Sequence, residues 1–172
     1  RVFRRSEGNP LFTEELLAAG LDGRGALPAT LRDALMVRVE RLGEQAQELL
    51  RVLAAGGRVT HDVLADASGL EPAAVRAAVR EAQEAHLVEA DETGGYRFRH
   101  ALLRGVIADA LLPGEHAELH LALVRALEPH VAERPGDVEL SASLAHHYLA
   151  AGDQPAALVA AVRAASAADA VR

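Results

Sequence analysis

Residues 87–107 constrain the fold more than any other stretch of this chain. Leu87-Val88-Glu89-Ala90-Asp91 and Tyr96-Arg97-Phe98-Arg99-His100 are alternating runs separated by Glu92-Thr93-Gly94-Gly95. The second run continues directly into the helical pattern Ala101-Leu102-Leu103-Arg104-Gly105-Val106-Ile107. Glycines can take the positive φ that a tight reversal needs, so the pattern predicts a β-hairpin feeding a helix. Period-two alternation puts Tyr96, Phe98 and His100 on one face of the hairpin and Arg97 and Arg99 on the other.

The rest of the chain reads as helix. Thr30 is a candidate cap, with Asp33 three residues on, and Leu31, Leu35, Val39 and Leu42 make an amphipathic stripe. Ala46, Leu49, Leu50 and Leu53 mark a second helix that stops at Gly56-Gly57, and Val59-Thr60 is a candidate short strand. A short helix over 61–68 is closed by Gly69, and Pro72 opens another with Val75, Val79 and Ala82 on its inner face. After the hairpin, Leu103, Val106, Ile107, Ala110 and Leu111 point inward, up to the break at Pro113-Gly114.

Helix, helix, short strand, helix, helix, hairpin is the order of a winged helix-turn-helix, with residues 72–86 in the recognition-helix position. Beyond Pro113 three helices are expected. Leu119, Leu123 and Leu127 form an i, i+4 stripe on the first, and residues 138–151 and 154–170 pair around Gly152-Asp153. Leu144, Ala145, Tyr148, Gly152, Ala157, Ala161 and Ala164 fall at tetratricopeptide spacings. A single unit of that kind cannot bury its own face, so further repeats or an atypical terminal unit are expected. The predicted fold class is all-α with a small β-wing: a winged helix-turn-helix followed by tetratricopeptide-like helical repeats. The expected domains are 1–26, 27–113 and 114–172.

Composition narrows the function. The 172 residues carry a formal charge of −7, no cysteine, and 18 basic residues, all of them arginine. An excess of acid argues against a surface built for phosphate backbones. Over residues 29–113 there are ten arginines and thirteen acids. The candidate recognition helix carries Glu71, Arg76, Arg80, Glu81 and Glu84, which sum to −1, so it has little charge with which to displace counterions from DNA. Without lysine there is no GxxxxGK[ST] phosphate loop, and no nucleophile stands in a strained turn; the segment does not read as an enzyme. No apolar run approaches a membrane span, and no signal-peptide pattern opens the chain.

Three stretches together resemble a known family: Gly8-Asn9-Pro10-Leu11-Phe12-x-Glu14-Glu15-Leu16-Leu17, Leu27-Pro28-x-Thr30-Leu31-Arg32-Asp33, and Tyr96-Arg97-Phe98-Arg99-His100-Ala101-Leu102-Leu103-Arg104. In order and spacing they resemble the large ATP-binding LuxR-type transcriptional regulators and related signal-transduction ATPases of bacteria. The resemblance implies a cytoplasmic parent that binds ATP/ADP, of which this chain is a middle segment. Residues 1–26 would end the helical lid of the ATPase module, 27–113 would be its winged helix, and 114–172 the start of a repeat sensor. The implied partners are the nucleotide-binding domain of the same chain, an effector or protein at the repeats, and DNA only through a separate C-terminal domain.

The resemblance also assigns two cofactor-binding residues. Pro10 would pack near the adenine, and His100 would contact the diphosphate of ADP. Related switch ATPases write Met-His-Asp where this chain has Arg99-His100-Ala101. From the residues alone, Pro10 is a helix-start signal and His100 an inward-facing core histidine, so both readings stand side by side. A DNA-binding winged-helix transcription factor and a helical protein–protein scaffold are the alternatives from other classes.

The histidines raise a metal reading. His116 and His120 are four apart on one helix face, and His146-His147 lie on another helix. A zinc hydrolase pattern, HExxH, puts its base directly after the first histidine, whereas here the order is His-Ala-Glu-Leu-His. The sequence therefore predicts histidines scattered over helix surfaces, and no metal site.

Overall fold

The computed structural model describes residues 29–92 and 94–170. Pro10, the helix expected after it and the boundary expected at residues 22–25 lie outside those residues. Eight helices and one small antiparallel sheet are described. In chain order they are α1 (Ala29–Glu40), α2 (Glu44–Gly56), β1 (Arg58–Thr60), α3 (His61–Ser68), α4 (Pro72–Glu84), β2 (Val88–Ala90), β3 (Gly95–Phe98), α5 (Ala101–Ala110), α6 (Pro113–Glu133), α7 (Val138–Ala150) and α8 (Gln154–Ala170). No described helix is long and apolar enough to cross a membrane.

Sheet order is β1-β3-β2. Register sets Arg58 beside Arg97 beside Glu89 across the three strands, and Val88 opposite Phe98. The two faces then differ sharply: Val59, Val88 and Phe98 are buried, whereas Arg58 and Arg97 are exposed. The reversal depends on both glycines. Gly94 has φ +79, and a Cβ on Gly95 would come within 2.8 Å of Asp91 Oδ2 and 2.9 Å of Arg58 Nη2. Asp91 accepts from Gly95 N–H at 2.9 Å and from Arg58 Nε at 2.5 Å, which locks the hairpin's turn end to β1.

The helices bury the faces their periodicity predicts, with three exceptions. α1 already includes Ala29, so residue 30 lies within the helix and not ahead of it. Ala110 is exposed and Leu111 only half-buried; α5 ends at Ala110, and the extended backbone at Leu111 carries the chain off the core. Ala161 is exposed, because α8 meets α7 along Ala157, Ala160, Ala164 and Ala167, a stripe that alternates i+3 and i+4 steps. Helix starts are held by acceptors: Glu115 takes Leu112 N–H at 2.8 Å, Asp137 takes Leu140 N–H at 3.1 Å, and Asp153 takes Ala156 N–H at 3.0 Å.

One apolar cluster runs from Leu31 through Leu49, Leu53, Leu64 and Val106 to Leu123, Leu144 and Ala160. Residue 113 therefore does not interrupt the core. The join is tight at Gly56, where an added Cβ would strike the Val59 side chain and sit 3.5 Å from Leu123 Cδ2. Gly56→Ala is expected to cost about 1–3 kcal/mol by overpacking. Urea unfolding checks this; an unchanged midpoint would mean that β1 and α6 have room to retreat.

Candidate functional site

His100 is half-buried and forms the N-cap of α5, with extended backbone (φ −130, ψ 121). Its carbonyl accepts from Leu103 N–H at 3.0 Å. The β3 ladder ends at Phe98, and Arg99 N–H continues the pairing by donating to Leu87 O at 2.9 Å. Hairpin geometry thus carries the chain to the mouth of a ten-residue helix. N–H groups in a helix's first turn, together with the positive end of its dipole, favour an anion there. Pro10, the other residue expected to bind nucleotide, lies outside the described residues.

Arg58, Arg97 and Arg99 around the wing, and Glu81 of α4, are engaged within the chain. Arg97 pairs with Glu89 at 2.6 Å, as alternation across the hairpin predicts, and Arg58 takes Asp91. Arg99 Nη1 lies 3.4 Å from His86 Nδ1, and Glu81 accepts from Gly43 N–H at 2.7 Å, tying α4 to the start of α2. Arg104 Nε donates to Ala54 O at 2.9 Å, and its guanidinium spreads over Gly57.

A second constellation lies where α6 and α7 cross. His120 and His147 are each only 2% exposed, and their Nδ1 atoms are 2.8 Å apart. This corrects the expectation of surface histidines. Antiparallel packing brings an early turn of α6 against the last turn of α7, and the apolar rows Leu123/Leu127 and Leu144 carry His120 and His147 inward with them. Half-buried His116 and exposed His146 complete the group. Ring centroids are 4.5 Å apart for His116–His120, 5.0 Å for His120–His147 and 5.2 Å for His146–His147.

A 2.8 Å contact between two ring nitrogens requires one to carry the proton and the other to accept it. Both rings are held neutral. Burial, followed by the neighbouring His116, His146 and Arg104, lowers the His120 pKa to about 4. Burial, followed by His120, His146 and Arg104, lowers that of His147 to about 3. His147 stands in the last turn of its helix, where the dipole favours a cation by ~0.3–1 kcal/mol; desolvation outweighs it. Beside the cluster, the Tyr148 hydroxyl donates to Glu128 of α6, and that bond pushes its pKa up to about 12.

Period analysis held the signal that would have found this pair. His120 stands three residues before Leu123 and His147 three after Leu144, both on buried stripes. What the sequence does not carry is the crossing point that sets one against the other.

No family model, curated protein or solved structure matches this chain.

Proposed function

We propose that this chain is the relay segment of a bacterial, cytoplasmic, ATP-dependent LuxR-type transcriptional regulator. In this reading β1 to α5, with the helices packed on them, act as a winged helix, and α7 and α8 begin a tetratricopeptide-like sensor. The winged helix docks on the nucleotide-binding domain of the same protein when ADP is bound, and activation releases it. Such a switch needs contacts that differ between two states, and an imidazole N–H offered to a phosphate oxygen is one. The observation that carries the reading is the position of His100, half-buried at the N-terminus of α5 and at the exit of the hairpin. The element order and the β1-β3-β2 sheet also support it.

The His100→Ala variant of the parent protein is expected to release ADP about tenfold faster or more, as the loss of a hydrogen bond to a charged group implies. Basal signalling should rise with it. Stopped-flow release of a fluorescent ADP analogue measures this, and an unchanged rate sinks the assignment.

A DNA-binding winged-helix factor is the competing reading, and the charge pairing counts against it. Arg97 is tied to Glu89 and Arg58 to Asp91, leaving fewer uncommitted cations for phosphates. Fluorescence anisotropy with random-sequence duplex should show no binding by this chain at micromolar concentration. Binding that weakens steeply with salt would favour the transcription-factor reading.

A further inference from the structure

We propose that His120, His146 and His147 form a binding site for a divalent first-row transition-metal ion, with Zn²⁺ the natural probe and water in the fourth position. Imidazole nitrogens suit Zn²⁺ and its neighbours in the series, and three protein ligands plus water are a familiar tetrahedral set. One ligand atom from each ring lies within 4.8 Å of the other two. Zn–N bonds of ~2.0–2.1 Å require nitrogens about 3.3 Å apart in a tetrahedron. The His120–His147 pair must therefore open by about half an ångström from 2.8 Å, and His146 must swing in by at most about 1.5 Å.

Side-chain rotation supplies shifts of that size without moving either helix. His146 is exposed, so an ion can reach the site from solvent and lose its water as the two buried rings take hold. A bound ion also resolves an awkward feature of the fold. Two imidazoles are buried nitrogen against nitrogen, and among the described residues no carboxylate meets either ring; their one hydrogen bond is to each other. The ion replaces the shared proton, which moves to the remote ring nitrogen as the donor ring changes tautomer, so no net proton is released from the pair. Neutral rings are the state a metal requires, and burial already keeps both neutral near pH 7.

Arg104 opposes the ion, since its cation acts on both rings. His116, with its ring 4.5 Å from that of His120, falls outside the three-ligand group and stands behind it. The site bridges α6 and α7, so occupancy would clamp the first helix of the terminal array onto the second. The site involves neither His100 nor any nucleotide.

Isothermal titration of the purified chain with ZnCl₂ tests it, alongside CoCl₂ titration followed by visible absorption. One ion per chain is expected, with the intense bands of four-coordinate Co²⁺, and His146→Ala should weaken binding at least about tenfold. His120→Gln should abolish the Co²⁺ bands, and His61→Ala, outside the cluster, should leave both titrations unchanged. His146 is exposed, so its variant retains the fold and a negative result cannot be laid to unfolding. Absence of saturable binding, binding unaltered in the His146→Ala and His120→Gln variants, or octahedral Co²⁺ spectra would each overturn the site.

Discussion

Between pH 7 and pH 5, in the presence of a chelator, this chain is expected to lose about 2–3 kcal/mol of stability, before most carboxylates protonate. The loss comes from His120 and His147. Folding lowers both pKa values, to about 4 and about 3, from the ordinary 6.5. As the pH falls the unfolded chain takes up its protons first, so acid favours unfolding. The stabilisation is fully present above pH 6.5 and drains away toward the folded values. Each ring contributes up to ~1.4 kcal/mol per pH unit within that window, less what water entering the crossing recovers. Urea midpoints at half-unit intervals measure the slope, and a His120→Gln/His147→Gln double variant should flatten it. A flat profile in the unaltered chain would mean that the two rings are charged or solvated in the folded state.

Leu123→Ala is the second large effect, with an expected cost of about 2–5 kcal/mol. Leu123 is 1% exposed and belongs to the cluster that joins α6 to α2, β1 and α3. Truncation would leave a hole beside Gly56 that the packed helices cannot close. Leu158→Ala, on the outer side of α8 at 67% exposure, should stay within about 0.5 kcal/mol. The pair separates a core role for α6 from a peripheral one. If Leu123→Ala cost no more than Leu158→Ala, α6 would be docked loosely on a core complete without it.

Legibility in the sequence followed the range of the interaction. Local signals worked well: Gly69 closes α3 at Ser68 with φ +63, Pro72 opens α4, and Val75, Val79 and Ala82 are buried. The hairpin was readable because Gly94 and Gly95 meet needs that only a residue without Cβ can meet, one of dihedral and one of space. Positions near helix ends were less so. The helical period sets Ala110 inward and tetratricopeptide spacing sets Ala161 against the neighbouring helix, but a helix's last turn obeys the path of the chain and α8's stripe obeys its partner's shape.

The histidine cluster marks the other boundary. Spacing within α6 and within α7 is local, yet the meeting of His120 with His147 depends on how two helices cross, 27 residues apart in sequence. Burial of a polar ring on an apolar stripe is the trace such a meeting leaves in a sequence, and it was present at both positions.

The relay account stands on nucleotide-dependent docking of the β1–α5 region. Hydrogen exchange on the parent protein, loaded either with ADP or with a non-hydrolysable ATP analogue, reads that docking directly. Amides of the hairpin over 88–98 and of the first turn of α5 should exchange at least about tenfold more slowly in the ADP form. Identical exchange in the two forms, at the hairpin and around His100 alike, would contradict the account.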